Sequence, residues 1–213
     1  MGARSVSAKK VSKMSNNQVN SITTTDERRS KTKKSSTNQS NDHHETNQTI
    51  EFINENRNFS DSKYKLYADL VPETAWYTNV RSIVSKQSWD KIRNIVYTRA
   101  GNACEICGRS RSEIPNNRLD CHERWSYSED GVQKLERLLS LCVPCHMATH
   151  IGYWTSLSED NYDKAISWIS KVNNITAKEA KQLVKGAFDI WEERSRRKWI
   201  TNVEILPKHL LII

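Results

Sequence analysis

No stretch of this chain approaches the roughly 18 consecutive apolar residues that a membrane-spanning helix needs, so a protein of the α-helical membrane class is not expected. The beginning lacks the short apolar core of a secretory signal, and Val6 stands where a myristoylation motif wants Ser or Thr. We therefore expect an intracellular protein, cytoplasmic or nucleoid-associated and not secreted. Aromatic residues are nearly missing from residues 1–60, whereas all seven tryptophans fall between Trp76 and Trp199. A segment of Ser, Thr, Asn, Gln and Lys cannot bury enough apolar surface to offset its chain entropy. Residues 1–60 are expected to form a disordered, basic and polar tail. Residues 1–25 also lack any acid, which matches an organelle transit peptide in composition only, because no amphipathic apolar face accompanies it.

Charge is unevenly placed. The formal net charge is +8, and residues 1–50 hold nine basic groups against four acidic ones, which is +5 of it. Only about +3 is left for the remainder, so phosphate affinity there depends on local clusters such as Arg194, Arg196, Arg197 and Lys198. These four are the candidate nucleic-acid contacts, with a solvated helix end as the alternative.

Cysteine is scarce and clustered. Four of five cysteines form two Cys-x-x-Cys pairs, Cys104/Cys107 and Cys142/Cys145, in a chain without a secretion signal. This pattern favours metal thiolates over disulfides. Each pair offers two sulfurs from one tight loop, and together they supply the tetrahedron of a structural zinc. Metal capture in small zinc peptides is worth about 10–16 kcal/mol, so the ion would dominate the stability of the central module.

The pattern around the pairs predicts an α+β module. Ser88 is expected to cap a helix whose Ile92, Val96 and Ala100 share a face and which stops at Gly101. Arg118 to Trp125 and Val132 to Glu136 read as a hairpin about the turn Ser128–Gly131. Val143 to His150 reads as a short helix, because His146 and His150 then lie on one face. Tyr64 to Trp76 reads as irregular around Pro72. Helices are predicted over Asp160–Val172, burying Ile166, Ile169 and Trp168, and from the capping box Thr176-x-x-Glu179, burying Leu183, Ala187 and Trp191. Asn202–Leu206 and Leu210–Ile213, parted by Pro207, are candidates for an edge strand.

The run Leu141-Cys-x-x-Cys-His-x-x-x-His, preceded by Leu119-Asp120-Cys121-His122, resembles the HNH endonuclease family over about residues 89–151. That family has the ββα-metal fold shared with colicin-type nucleases. The resemblance implies a zinc-stapled ββα core over residues 61–157, with a helical extension over 158–213 packed on it. It also implies hydrolysis of phosphodiester bonds in DNA. His122 matches the general base, His146 a ligand of a catalytic divalent metal (zinc or magnesium-class), and His150 a second ligand or a phosphate contact.

Two positions depart from the family pattern. Cys121 stands where a metal-ligating Asp or His is usual, and a thiolate there biases the site toward zinc. In the other reading Cys121 is a buried strand residue facing away from His122, and Asp120 or Glu123 supplies an oxygen instead. Leu135-Glu136-Arg137-Leu138 occupies the place of the family's central asparagine, and Arg137 reads as a phosphate contact or a solvated charge. The alternative to an enzyme is an inactive zinc module that binds nucleic acid or protein.

Overall fold

A computed structural model gives the structure of the chain and describes residues 53–212. Most of the expected tail, up to residue 52, lies outside the described residues. Its last part does not behave as a tail. Asn54 N–H donates to Ile205 O at 3.2 Å, Asn56 N–H donates to Glu136 O at 2.9 Å, and the buried Glu55 carboxylate lies 2.6 Å from Arg99.

The architecture is α+β. Helix α1 (Val80–Ile83) is followed by α2 (Lys86–Arg99), strands β1 (Leu119–Tyr127) and β2 (Val132–Cys142), and helices α3 (Val143–Thr149) and α4 (Ile151–Leu157). Helices α5 (Asp160–Asn173) and α6 (Ala177–Arg194) and the short strand β3 (Ile200–Asn202) complete it. The strand, strand, helix order around the second cysteine pair is as the sequence predicts.

Helix α2 starts earlier than expected, because its cap is Ser85, whose hydroxyl accepts the Ser88 N–H at 3.0 Å. Its end is the expected one. Gly101 (φ 63°) and Asn102 (φ 54°) turn left-handed, and their N–H groups donate to Thr98 O and Tyr97 O, closing the helix as a Schellman motif. The chain then enters the first cysteine pair, where Gly108 (φ 75°) permits the tight loop between Cys104 and Arg109.

The hairpin is longer than predicted. Strand β2 runs to Cys142 and pairs antiparallel with β1, from Leu119 opposite Cys142 to Tyr127 opposite Gln133. A bulge at Arg124/Trp125 leaves Glu136 as the extra residue. It brings Leu135 and Leu138, three apart, into one core cluster with Trp125, Ile92 and Val96. Leu139 and Leu141 join a second cluster with Ala148, Ile151, Ile166, Ile169 and Val184. Each fully buried leucine contributes about 2 kcal/mol of apolar transfer.

The edge strand is Ile200–Asn202, parallel to Val132–Lys134, rather than either predicted segment. Of the latter, Leu211 makes only an isolated bridge with Val84. Helices α5 and α6 bury Ala165, Ile166, Ile169, Ala180 and Val184, and the Thr176/Glu179 capping box is formed. Leu183, Ala187 and Trp168 pack partly buried against the same cluster. Among the described residues no helix is long and apolar enough to cross a membrane.

Candidate functional site

The two cysteine pairs come together. The Sγ atoms of Cys104, Cys107, Cys142 and Cys145 lie within 4.8 Å of one another, and Cys107 and Cys142 are 3.6 Å apart. A tetrahedron with metal–sulfur bonds of about 2.3 Å has edges of about 3.8 Å, so the set suits zinc. The same separation is far beyond the roughly 2.05 Å of a disulfide. Two contacts from outside the set support thiolate charge. Arg109 Nη2 donates to Cys142 Sγ at 3.3 Å, and Trp168 Nε1–H donates to Cys145 Sγ at 3.2 Å. The Arg109 guanidinium also lies over the Trp168 ring, 4.8 Å from its centre. Hydrogen bonds from Cys104 and Cys145, with Arg109 assisting, hold the Cys142 thiol well below its ordinary value, and the same sharing pushes the Cys145 thiol up.

The second group joins His122 on β1 to His146 on α3 and His150 at the α3–α4 junction. One ring nitrogen from each lies within 4.8 Å of the others. His150 falls between the helices because its φ −97°, ψ 40° breaks the helical run. His122 Nδ1 is 3.1 Å from His150 Nε2, close to the edge of about 3.3 Å that two nitrogens share around one zinc-sized ion. His122 and Asp69 are buried, with His122 Nε2 3.3 Å from Asp69 Oδ2, while the His146 side chain is 26% exposed. The site therefore opens at His146.

Asp120 holds His146 from behind, its Oδ2 3.1 Å from His146 Nδ1. This leaves Nε2 of His146 as the free ligand nitrogen, the usual role of a carboxylate behind a metal-ligating histidine. Burial opposes ionisation of Asp120, but hydrogen bonds with His146 and Arg118 outweigh it and hold the carboxyl below its ordinary range. Burial pushes Asp69 up to about 7, with Arg194 opposing. His122 and His150 are both held well below their ordinary value, first by burial and then by neighbouring histidines. Both rings are thus neutral at pH 7, the form a metal requires.

The remaining sequence-predicted residues part ways. Cys121 belongs to neither group. Strand alternation turns it away from His122, and its charged neighbours are Glu123, Glu55, Arg99 and Glu105. Its place among second-metal ligands is corrected accordingly, and burial pushes its thiol up. Glu123 is no ligand either, since its Oε1 accepts the Val80 N–H at 3.0 Å. His122, expected apart as a proton acceptor, stands inside the histidine group.

Arg137 is neither a phosphate contact nor a solvated charge, for it pairs with Glu105 at 3.1 Å and its side chain is 15% exposed. Within the basic cluster, Arg194 stacks on Tyr127 at 4.3 Å and faces Asp61 at 3.8 Å, and Arg197 donates to Glu129 O at 3.2 Å. Arg196 lies 3.8 Å from Glu192, and Lys198 is exposed. Two of the four are thus committed to the fold.

Sequence reasoning missed Asp69, Arg109 and Trp168 as partners of these groups. Arg109 stands two residues past Cys107, which is a usable local signal; Asp69 and Trp168 reach their partners across 53 and 23 residues, which no spacing rule anticipates. Compared with protein-family models, curated proteins and solved structures, the chain matches none of them.

Proposed function

We propose that this chain is a divalent-metal-dependent endonuclease of the HNH kind, hydrolysing phosphodiester bonds in DNA on a zinc-held ββα core. The observation that carries the reading is the convergence of His122, His146 and His150 beside the four-cysteine set, on the hairpin and on the helix that follows it. A divalent cation bound there supplies positive charge that neutralises the scissile phosphate and steadies the leaving oxygen.

The chain's own residues supply the rest. Asp120 fixes the His146 ring so that Nε2 faces the site, and the exposed edge of His146 is where a phosphate enters. Arg118, 67% exposed and 3.0 Å from Asp120, stands at that entrance as a cation for the substrate backbone. The 3.1 Å approach to His150 supports a reading of His122 as a third ligand. A second reading keeps His122 as the general base, favoured by the carboxylate on its outer nitrogen, the arrangement a base and its orienting partner require.

The test is plasmid cleavage by the purified chain with magnesium, manganese, nickel or zinc, alongside metal content. His146→Ala is expected to abolish cutting. If His122 is a ligand, His122→Ala loses both the second ion and cleavage; if it is the base, cleavage is lost and the ion stays. Failure of the wild type to cut with all four metals overturns the enzyme reading, and DNA retention without cutting assigns a binding module instead.

A further inference from the structure

The segment 64–71 precedes every motif discussed so far, yet it is fastened from both sides. Asn173 of α5 brackets Leu66, donating from Nδ2 to Leu66 O at 2.6 Å and accepting the Leu66 N–H on Oδ1 at 3.0 Å. Trp191 of α6 donates its Nε1–H to Val71 O at 3.0 Å. Between these anchors the Asp69 N–H donates to Thr149 O at 2.9 Å, one residue before His150. Leu66, Tyr67, Ala68 and Asp69 are all buried. The C-terminal helices thus hold a strap whose single carboxylate is delivered against His122.

We propose that Asp69 is a positioning residue that fixes the tautomer and aim of His122 in the histidine centre. It rests on the reading that the three histidines form one metal-binding centre. Asp69 Oδ2 lies 3.3 Å from His122 Nε2, and both side chains are nearly fully buried. A proton on Nε2, donated to the carboxylate, leaves the Nδ1 lone pair pointing at the position it shares with His150 Nε2. The opposite tautomer would point an N–H at that position and leave a buried carboxylate without its donor, which costs on the order of 1–3 kcal/mol.

Arg124 keeps the carboxylate in place. Its Nε lies 3.6 Å from the same Oδ2, and its guanidinium stacks on Tyr67 of the strap at 4.0 Å. The arrangement parallels Asp120 behind His146, so two of the three histidines have a carboxylate on the nitrogen that faces away from the centre. It also assigns α6 a task beyond core packing and gives α5 a second one beside the Trp168 bond to Cys145.

Cobalt(II) titrated into the full chain supplied with a single equivalent of zinc, which the four thiolates take in preference to the histidines, and followed by its visible absorption, tests the proposal. Asp69→Ala is expected to weaken cobalt binding about 10- to 100-fold, while Asp69→Asn, whose amide oxygen still accepts the Nε2–H, stays near the wild type. Zinc content of one ion per chain in both variants reports that the fold is kept. Equal affinities for Asp69→Ala and the wild type overturn the proposal. If the wild type binds no cobalt, the metal-centre reading fails, and Asp69 is judged by nitrogen NMR of the His122 ring in mildly alkaline solution. An Nε2–H tautomer supports it and an Nδ1–H tautomer overturns it.

Discussion

Replacing Trp168 with phenylalanine isolates one hydrogen bond of the cysteine set. The indole N–H approaches Cys145 Sγ at 3.2 Å, and phenylalanine deletes that donor while keeping an aromatic ring under Arg109. A hydrogen bond to a charged acceptor contributes about 1.5–3 kcal/mol. Trp168 is only partly buried, which places the loss near the lower end. A loss of about 1.5 kcal/mol corresponds to roughly tenfold weaker zinc binding.

The assay is competition for zinc between the full chain and a chromophoric chelator at neutral pH. Arg109→Met removes the second donor, at 3.3 Å from Cys142, together with its positive charge, so a larger loss is expected. Because Arg109 and Trp168 touch each other and neighbouring sulfurs, the double variant should lose less than the sum of the two. Unchanged zinc affinity in Trp168→Phe refutes the idea that α5 supports the metal through this bond. A lower melting temperature with unchanged affinity reduces Trp168 to packing.

Cys104→Ser should abolish the cooperative thermal transition of the central module, since it opens the loop closed across Cys107 and Cys142; a folded, zinc-free variant by calorimetry contradicts this. Desolvation of the half-buried Glu123 pushes its carboxyl up to about 7 from 4.5, so the folded state holds its proton more tightly than the unfolded one. Stability should therefore fall as pH rises from 4.5 to 7, by up to about 3 kcal/mol. Glu123→Gln removes this share and leaves the part contributed by buried Asp69, which is also raised to about 7; a slope in urea melts that the substitution leaves unchanged counts against it. Arg194→Ala should cost about 1 kcal/mol, or roughly 2–4 °C in Tm, through its lost stacking on Tyr127. A weaker grip on DNA without loss of Tm would restore Arg194 to the nucleic-acid surface.

The features legible in the sequence share a short range. The two Cys-x-x-Cys loops, the Gly101 stop, the Thr176/Glu179 box and the i, i+4 pair His146 and His150 each depend on neighbours within about one helical turn. Alternation along β1 was equally readable, and it separates Cys121 from His122. The sequence pattern puts the cap of α2 at Ser88 alone, whereas Ser85, three residues earlier and of the same chemistry, takes the role with Ser88 as its donor. Polar composition hid the docking of residues 53–60, because their anchors are backbone bonds and the Glu55–Arg99 pair rather than apolar bulk. Asp69 was invisible for a related reason, since its delivery to His122 depends on helices about a hundred residues further on.

The two clusters make one central claim, that the chain carries two metal centres of different chemistry. The most direct test is metal content per chain, by elemental analysis of the full protein after equilibration with zinc and removal of the excess. The account predicts two ions in the wild type and one in His146→Ala, with the remaining ion lost only when the cysteines are changed. A single ion per chain, unaffected by His146→Ala, would contradict it and leave the histidines as a packing group around the buried His122.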